Sequence, residues 1–211
     1  MRIEKEELLN IQGGAITGTV ITALLKGVTT IFDLGRTLGS AFRRIKYKDA
    51  MDKYASDKPD LRIHFAIENI TEILSKNESV VFKDRVVKAF VVPSSDKSNS
   101  WYKKLEEEYK ELGAQALGFI KVDENGEIIG SMAKLFSEEE KKELTKLFNL
   151  EKGNVVFIIC GQKGEKFDKL CGSLRLKVAH ELNLVDESRH EFCIICDFPM
   201  YEWNEEDKKY D

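Results

Sequence analysis

Proline and cysteine are both scarce, at three and four in 211 residues. That is too little cysteine to staple a small secreted fold, so a disulfide-dense scaffold is excluded. A cationic start followed by a long apolar run is missing, so there is no standard secretory signal. Excess basic charge is missing too. Thirty-three Lys and Arg face 37 Asp and Glu, a net charge of −4, which argues against bulk electrostatic attraction to nucleic acid as the main driver of function. What is present is 42% apolar and 33% charged sequence. That balance excludes a disordered, collagen-like or polytopic membrane chain. The length suits one domain, or one domain plus an attachment, and is enough to bury a core.

The charge is unevenly spread. Residues 1–46 carry seven Lys and Arg against four acids, whereas residues 47–211 carry 26 against 33. The texture shifts at the same place, from Gly-, Thr- and Ala-rich sequence to ordinary charged globular sequence. In the first part Ile16, Val20, Leu24, Val28, Ile31, Leu38, Phe42 and Ile45 recur at helical spacing. Lys26, Arg43, Arg44 and Lys46 gather toward its end, where cations suit a helix C-terminus. Residues 15–45 therefore read as a cationic, glycine-rich amphipathic helix. Lys26 and the threonines interrupt it, so it suits a membrane surface better than a membrane span. The plainer reading is a helix packed on the rest of the protein.

Residues 1–14, MRIEKEELLNIQGG, resemble the double-glycine leader of bacteriocin and peptide-pheromone precursors. Glu7, Leu8, Ile11, Gly13 and Gly14 fall at that family's spacings. The resemblance implies cleavage after Gly13-Gly14 by a peptidase-transporter, whose narrow groove admits no side chain there, and release of a peptide starting at Ala15.

From residue 46 onward the pattern predicts helices over 46–54, 70–76, 98–112, 137–148 and 164–182. It predicts strands over 63–68, 86–92, 117–122, 127–132, 154–160 and 191–198. The run from Val86 to Val92, ended by Pro93, is β-rich. Asp123-Glu124-Asn125-Gly126 reads as a hairpin turn, since Asn-Gly accepts positive φ. Ser137 before Glu138-Glu139-Glu140 reads as a helix cap with acids in the first turn. The expected fold class is α+β, a mixed sheet with helices, preceded by the amphipathic segment.

Two further segments are specific. YKDAMDKYASDKPDLR, from Tyr47 to Arg62, and the stretch from Gly172 to Glu202, which ends in CDFPMYE, resemble bacterial-type aspartyl-tRNA synthetase. Tyr47, Ala50, Met51, Tyr54, Ser56, Asp57, Lys58, Pro59, Asp60, Leu61 and Arg62 match the family's run. Ala55 stands where that family has glycine, and alanine resists a left-handed turn. Between the two segments, Val87–Pro93, Leu112-Gly113-Ala114, Gly118–Val122 and Gly130 with Ala133-Lys134 resemble the insertion module that the synthetase shares with a tRNA-dependent amidotransferase subunit. The resemblance implies a catalytic-domain flank over 46–80, an insertion (GAD-like) module over 81–150 and a second flank over 151–211.

It further implies aspartate tRNA as partner, bound weakly or not at all by this acidic segment, and ATP with Mg as the intact family's cofactors, none held here. A cytoplasmic location follows, apart from any released N-terminal peptide. The family's anticodon domain and class II motifs 1, 2 and 3 have no counterpart in the sequence. Adenylate formation needs a positioned triphosphate and charge stabilisation, so the expected chain is a partial aspartate–tRNA ligase, inactive alone. The alternatives are a peptide precursor with a passive C-terminal part, or a stand-alone tRNA-associated binding module. The flanking strands would belong to a larger sheet and leave exposed edges and apolar faces.

By resemblance Asp57, Lys58, Asp60 and Arg62 form a loop beside the active site. The rival reading is a salt-bridged turn fixed by Pro59, and no catalytic residue is assigned. Cys193 and Cys196 form a C-x-x-C, but residues three apart on a strand face opposite ways, so a shared metal is not expected. Gly161–Lys166 follows a strand and opens a helix; it lacks P-loop spacing and reads as a plain connection. His64, His180 and His190 show no metal spacing. Trp101 and Tyr102 read as packing residues.

Overall fold

The computed structural model describes residues 42–201, 203–204 and 208–210. The chain divides into two units, residues 1–44 and 45–211. Residues 1–41, with the leader and most of the amphipathic segment, lie outside the described residues. The second unit is an α+β domain. In chain order it contains the end of β1 (Arg43–Lys46), then α1 (Tyr47–Tyr54), β2 (Glu68–Asn69), β3 (Val86–Val92), α2 (Asn99–Glu111), β4 (Ala116–Val122) and β5 (Ile128–Ile129). It continues with a 3₁₀ turn (Ala133–Leu135), α3 (Glu138–Phe148), β6 (Val155–Gly161), α4 (Glu165–Glu181), β7 (Cys193–Cys196), β8 (Trp203–Asn204) and β9 (Lys209–Tyr210).

Five strands form one antiparallel sheet in the order β2-β3-β6-β4-β5. β6 is central, pairing along its length with β3 (Val86 opposite Gly161 through Val92 opposite Val155) and with β4. All seven of its residues are buried, because both faces of the sheet are covered. On one face α2 and α4 lay Tyr102, Leu105, Tyr109, Phe167, Leu174 and Val178 over Phe90, Leu117, Phe157 and Ile159. On the other, residues 70–82 and 132–148 lay Ile70, Phe82, Met132, Phe136 and Leu144 over Val87, Ala89, Val156 and Ile158. The period-2 alternation of a strand therefore feeds two cores. Each fully buried aliphatic or phenyl side chain contributes about 1.5–3 kcal/mol.

A smaller cluster of Ile45, Ala50 and Tyr54 carries Leu61, Ala66, Cys193 and Ile195. It sits at the two-stranded pairing of β1 with β7. Just beyond β7, Phe198, Met200 and Tyr201 are all more than half exposed.

The helices over 47–54, 99–111, 138–148 and 165–181 lie where the periodicity places them. α3 starts with a full capping box: Ser137 Oγ accepts from the Glu140 N–H, and Glu140 Oε2 accepts from the Ser137 N–H at 2.7 Å. Asn77 Nδ2 donates to both Glu140 oxygens, so the buried carboxylate is satisfied.

Four expectations need correction. The strand over 63–68 shrinks to β2 and a single bridge, Ile63 to Val185, because other groups take its carbonyls, as described below. The helix over 70–76 is a run of turns with one helical bond, Leu74 N–H to Ile70 O, too short to propagate. The strand over 127–132 stops after Ile129. There Gly130, at φ +132°, turns the chain and Met132 enters the core. In the 123–127 turn only Gly126 has positive φ; Asp123 organises it, its Oδ1 accepting from the Asn125 and Glu127 N–H groups.

Candidate functional site

The candidate loop begins where α1 ends. Ala55 closes that helix in the left-handed conformation, at φ +54°, its N–H donating to Met51 O. The family's glycine turn is thus kept despite the methyl group, which corrects the expectation from the sequence. The methyl is buried against Gly172 of α4; a Cβ on Gly172 would lie 3.2 Å from it. The small residue on α4 makes room for the side chain on the turn.

Lys58 is exposed and Asp57 half-buried; the Lys58 N–H donates to Ser56 Oγ. Asp60 and Arg62 form a two-pronged pair, with Arg62 Nε donating to Oδ1 at 2.9 Å and Nη2 to Oδ2 at 2.7 Å. The Arg62 N–H also donates to Oδ1. The hydrogen bonds from Arg62 hold the Asp60 carboxyl below its ordinary pKa, and the same pairing raises that of Arg62. Pro59 lies between the two charged pairs. The salt-bridged turn read from the sequence is therefore present within this loop.

Beneath it lies a residue whose role the sequence reading missed. Arg175, on α4, is 1% exposed. Its Nε donates to Phe65 O at 2.8 Å, and its Nη2 to Ile63 O at 3.1 Å and Asp60 O at 3.2 Å. Its guanidinium carbon stands 5.0 Å from the Tyr54 ring centre and 5.6 Å from that of Phe65. Burial pulls its pKa down to about 10, opposed by Tyr54 and Asp60, so it stays charged at neutral pH. The signal was present in the sequence, as an arginine four residues after Cys171 and three before Val178, on a stripe otherwise made of core residues. The loop after α4 adjoins the site. Val185 bridges Ile63, and Ser188 donates to Asp186, lowering the Asp186 pKa with help from Arg189 and His64.

The other singled-out residues are dispersed. Gly13 and Gly14 lie outside the described residues. Cys193 packs with Ile195 on the small cluster, while Cys196 Sγ donates to Ile45 O on the alternate side of β7. Cys160 and Cys171 are buried, and desolvation pushes both thiols up to about 12. Gly161 ends β6 beneath the Phe167 ring, where a Cβ would come within 2.3 Å. Trp101 packs edge-on to Phe157 and donates from Nε1 to Glu181, a core role rather than base stacking. Lys88 of β3 pairs with Asp168 at 2.7 Å, its side chain 9% exposed.

Arg62 is committed to Asp60 and Arg175 to backbone carbonyls. Among the described residues no group of three His, Cys, Asp or Glu could hold a metal ion, and no helix is long and apolar enough to cross a membrane.

The GAD domain profile matches residues 78–171, from just before β3 to the middle of α4. The chain is 34% identical to the "Aspartate--tRNA(Asp/Asn) ligase" of Rickettsia prowazekii, over 90% of this chain and 32% of that protein. It is 37% identical to the ligase of the same name from Borreliella afzelii, over 82% of this chain and 30% of that one. It is 38% identical to the "Aspartate--tRNA ligase" of Streptomyces avermitilis, over 85% and 31%. The chain thus spans about a third of the length of these curated relatives. Residues 45–211 are 167 of the 211, so a match over 90% of the chain also takes in part of the first 44.

Proposed function

We propose that this chain is a segment of an aspartate–tRNA ligase of the bacterial type, made of a GAD module and the catalytic-domain flanks on either side of it, and that it does not activate aspartate alone. The observation that carries this reading is the 34–38% identity to aspartate–tRNA ligases over 82–90% of the chain, a span long enough to take in the whole GAD match. The loop over 57–62 then lies beside the amino-acylating centre of the complete enzyme, with Lys58 as its exposed charge and Asp57 half-buried next to it. ATP and Mg would be held by parts of the ligase other than this segment, since Arg62 of the loop and Arg175 beneath it are already committed. Aspartate tRNA would be the partner of the whole enzyme, and the cytoplasm its place of work. The surplus of acids in residues 47–211 makes strong tRNA binding by the segment itself unfavourable.

The reach of the Rickettsia match into the first 44 residues favours assigning at least part of them to the ligase rather than to a released peptide. Aspartate-dependent ATP–pyrophosphate exchange tests the central claim. Purified chain should give no exchange above a no-protein control, and exchange that depends on both aspartate and chain would refute it.

A further inference from the structure

A buried cation normally faces a carboxylate, because removing a charge from water is costly unless it is paired and hydrogen-bonded. Arg175 breaks that pattern. Among the described residues it makes no ion pair. Its compensation comes from the carbonyl oxygens of Asp60, Ile63 and Phe65, the faces of Tyr54 and Phe65, and the nearby charge of Asp60. Three acceptors spread over six residues converge on one planar fork. Those carbonyls have turned toward Arg175, and the chain from 60 to 65 is drawn onto α4.

We infer that Arg175 is a positioning residue, a latch that holds the 57–62 loop in one conformation from below. This rests on the reading of that loop as the ligand-facing loop of the ligase segment, and adds how its shape is set. The half-buried Asp57 and exposed Lys58 then stand on a base anchored at Asp60, three and two residues on. Arginine is required because its rigid fork reaches separated acceptors at fixed angles, whereas a lysine offers donors from a single point. A methionine would fill the volume and bind none of the carbonyls.

Amide hydrogen exchange on the full chain tests the latch, with Arg175→Met and Arg175→Lys compared with the wild type. In Arg175→Met the amides of residues 57–67 should exchange at least ~10-fold faster, while those of β3 and β6 stay within about twofold of wild type. Arg175→Lys should give a smaller but equally local gain. Should Arg175→Met fail to fold, Arg175→Lys is read by the same criterion. Exchange that rises equally in loop and sheet would make Arg175 a plain core support, and unchanged loop exchange would remove it from the loop's control; either result overturns the latch. Nothing in this measurement depends on ligase activity. A latch that fails here fails independently of the pyrophosphate-exchange result, which bears only on the ligase reading.

Discussion

Gly130 and Asp60 show how single residues set local geometry. At Gly130 the backbone has φ +132°, and a Cβ would stand 2.5 Å from the Phe119 carbonyl oxygen. No rotamer change relieves a clash with backbone. Gly130→Ala is expected to destabilise the protein by about 2–4 kcal/mol, read as a lower denaturation midpoint at unchanged slope. Asp60 concerns charge. Its folded pKa is depressed by the hydrogen bonds from Arg62, so the stability it contributes is present above the ordinary value of 3.8 and is lost as pH falls through the folded value. Asp60→Asn should therefore cost about 1 kcal/mol near neutral pH, with the pair partly solvated. The gap from wild type should start to narrow as pH falls below about 3.8 and go on narrowing through the folded value; a gap that does not narrow on acidification would rule the ion pair out as its source. The Asp60–Arg62 turn was legible in the sequence because partners two residues apart meet without help from elsewhere. Arg175 was not, since its acceptors lie more than 100 residues away.

Elements with their own local signals formed where those signals stand. The capping box of Ser137 and Glu140, the apolar run of β3 and the helical stripe of α4 each depend on neighbours in sequence. Elements that need distant partners departed from their patterns. Residues 63–68 have strand composition, yet the carbonyls of Ile63 and Phe65 go to Arg175, and the Ile67 N–H donates to Lys53 O. A strand needs a free ladder, and here its bonding groups are spent elsewhere. The central place of β6 has a direct consequence for dissection. A chain of residues 81–150 keeps β3 and β4 but lacks the strand between them, leaving two long open edges. It is expected to show no cooperative unfolding transition by circular dichroism, whereas residues 45–211 should unfold in a single transition. Cooperative melting of the shorter chain would show that β3 and β4 can be held together without β6.

At the scale of the molecule, one sheet with two covered faces takes strands from the stretch matched by the GAD profile and from just before it. The α4 helix shows this most plainly: the GAD match ends within it at Cys171, and its next turn carries Leu174 and Arg175, one in the large core and one beneath the candidate loop.

The sequence by itself determined the α+β class, the four helices among the described residues, the strand cores and the Asp60–Arg62 turn, because hydrophobic period, caps and short-range ion pairs act between residues close along the chain. Only the tertiary structure decided which strand lies at the centre, that Ala55 takes a left-handed turn against Gly172, and that Arg175 holds the loop. Each of these depends on groups that meet only after the chain has closed on itself, where burial and the need to satisfy every buried polar group outweigh local preference.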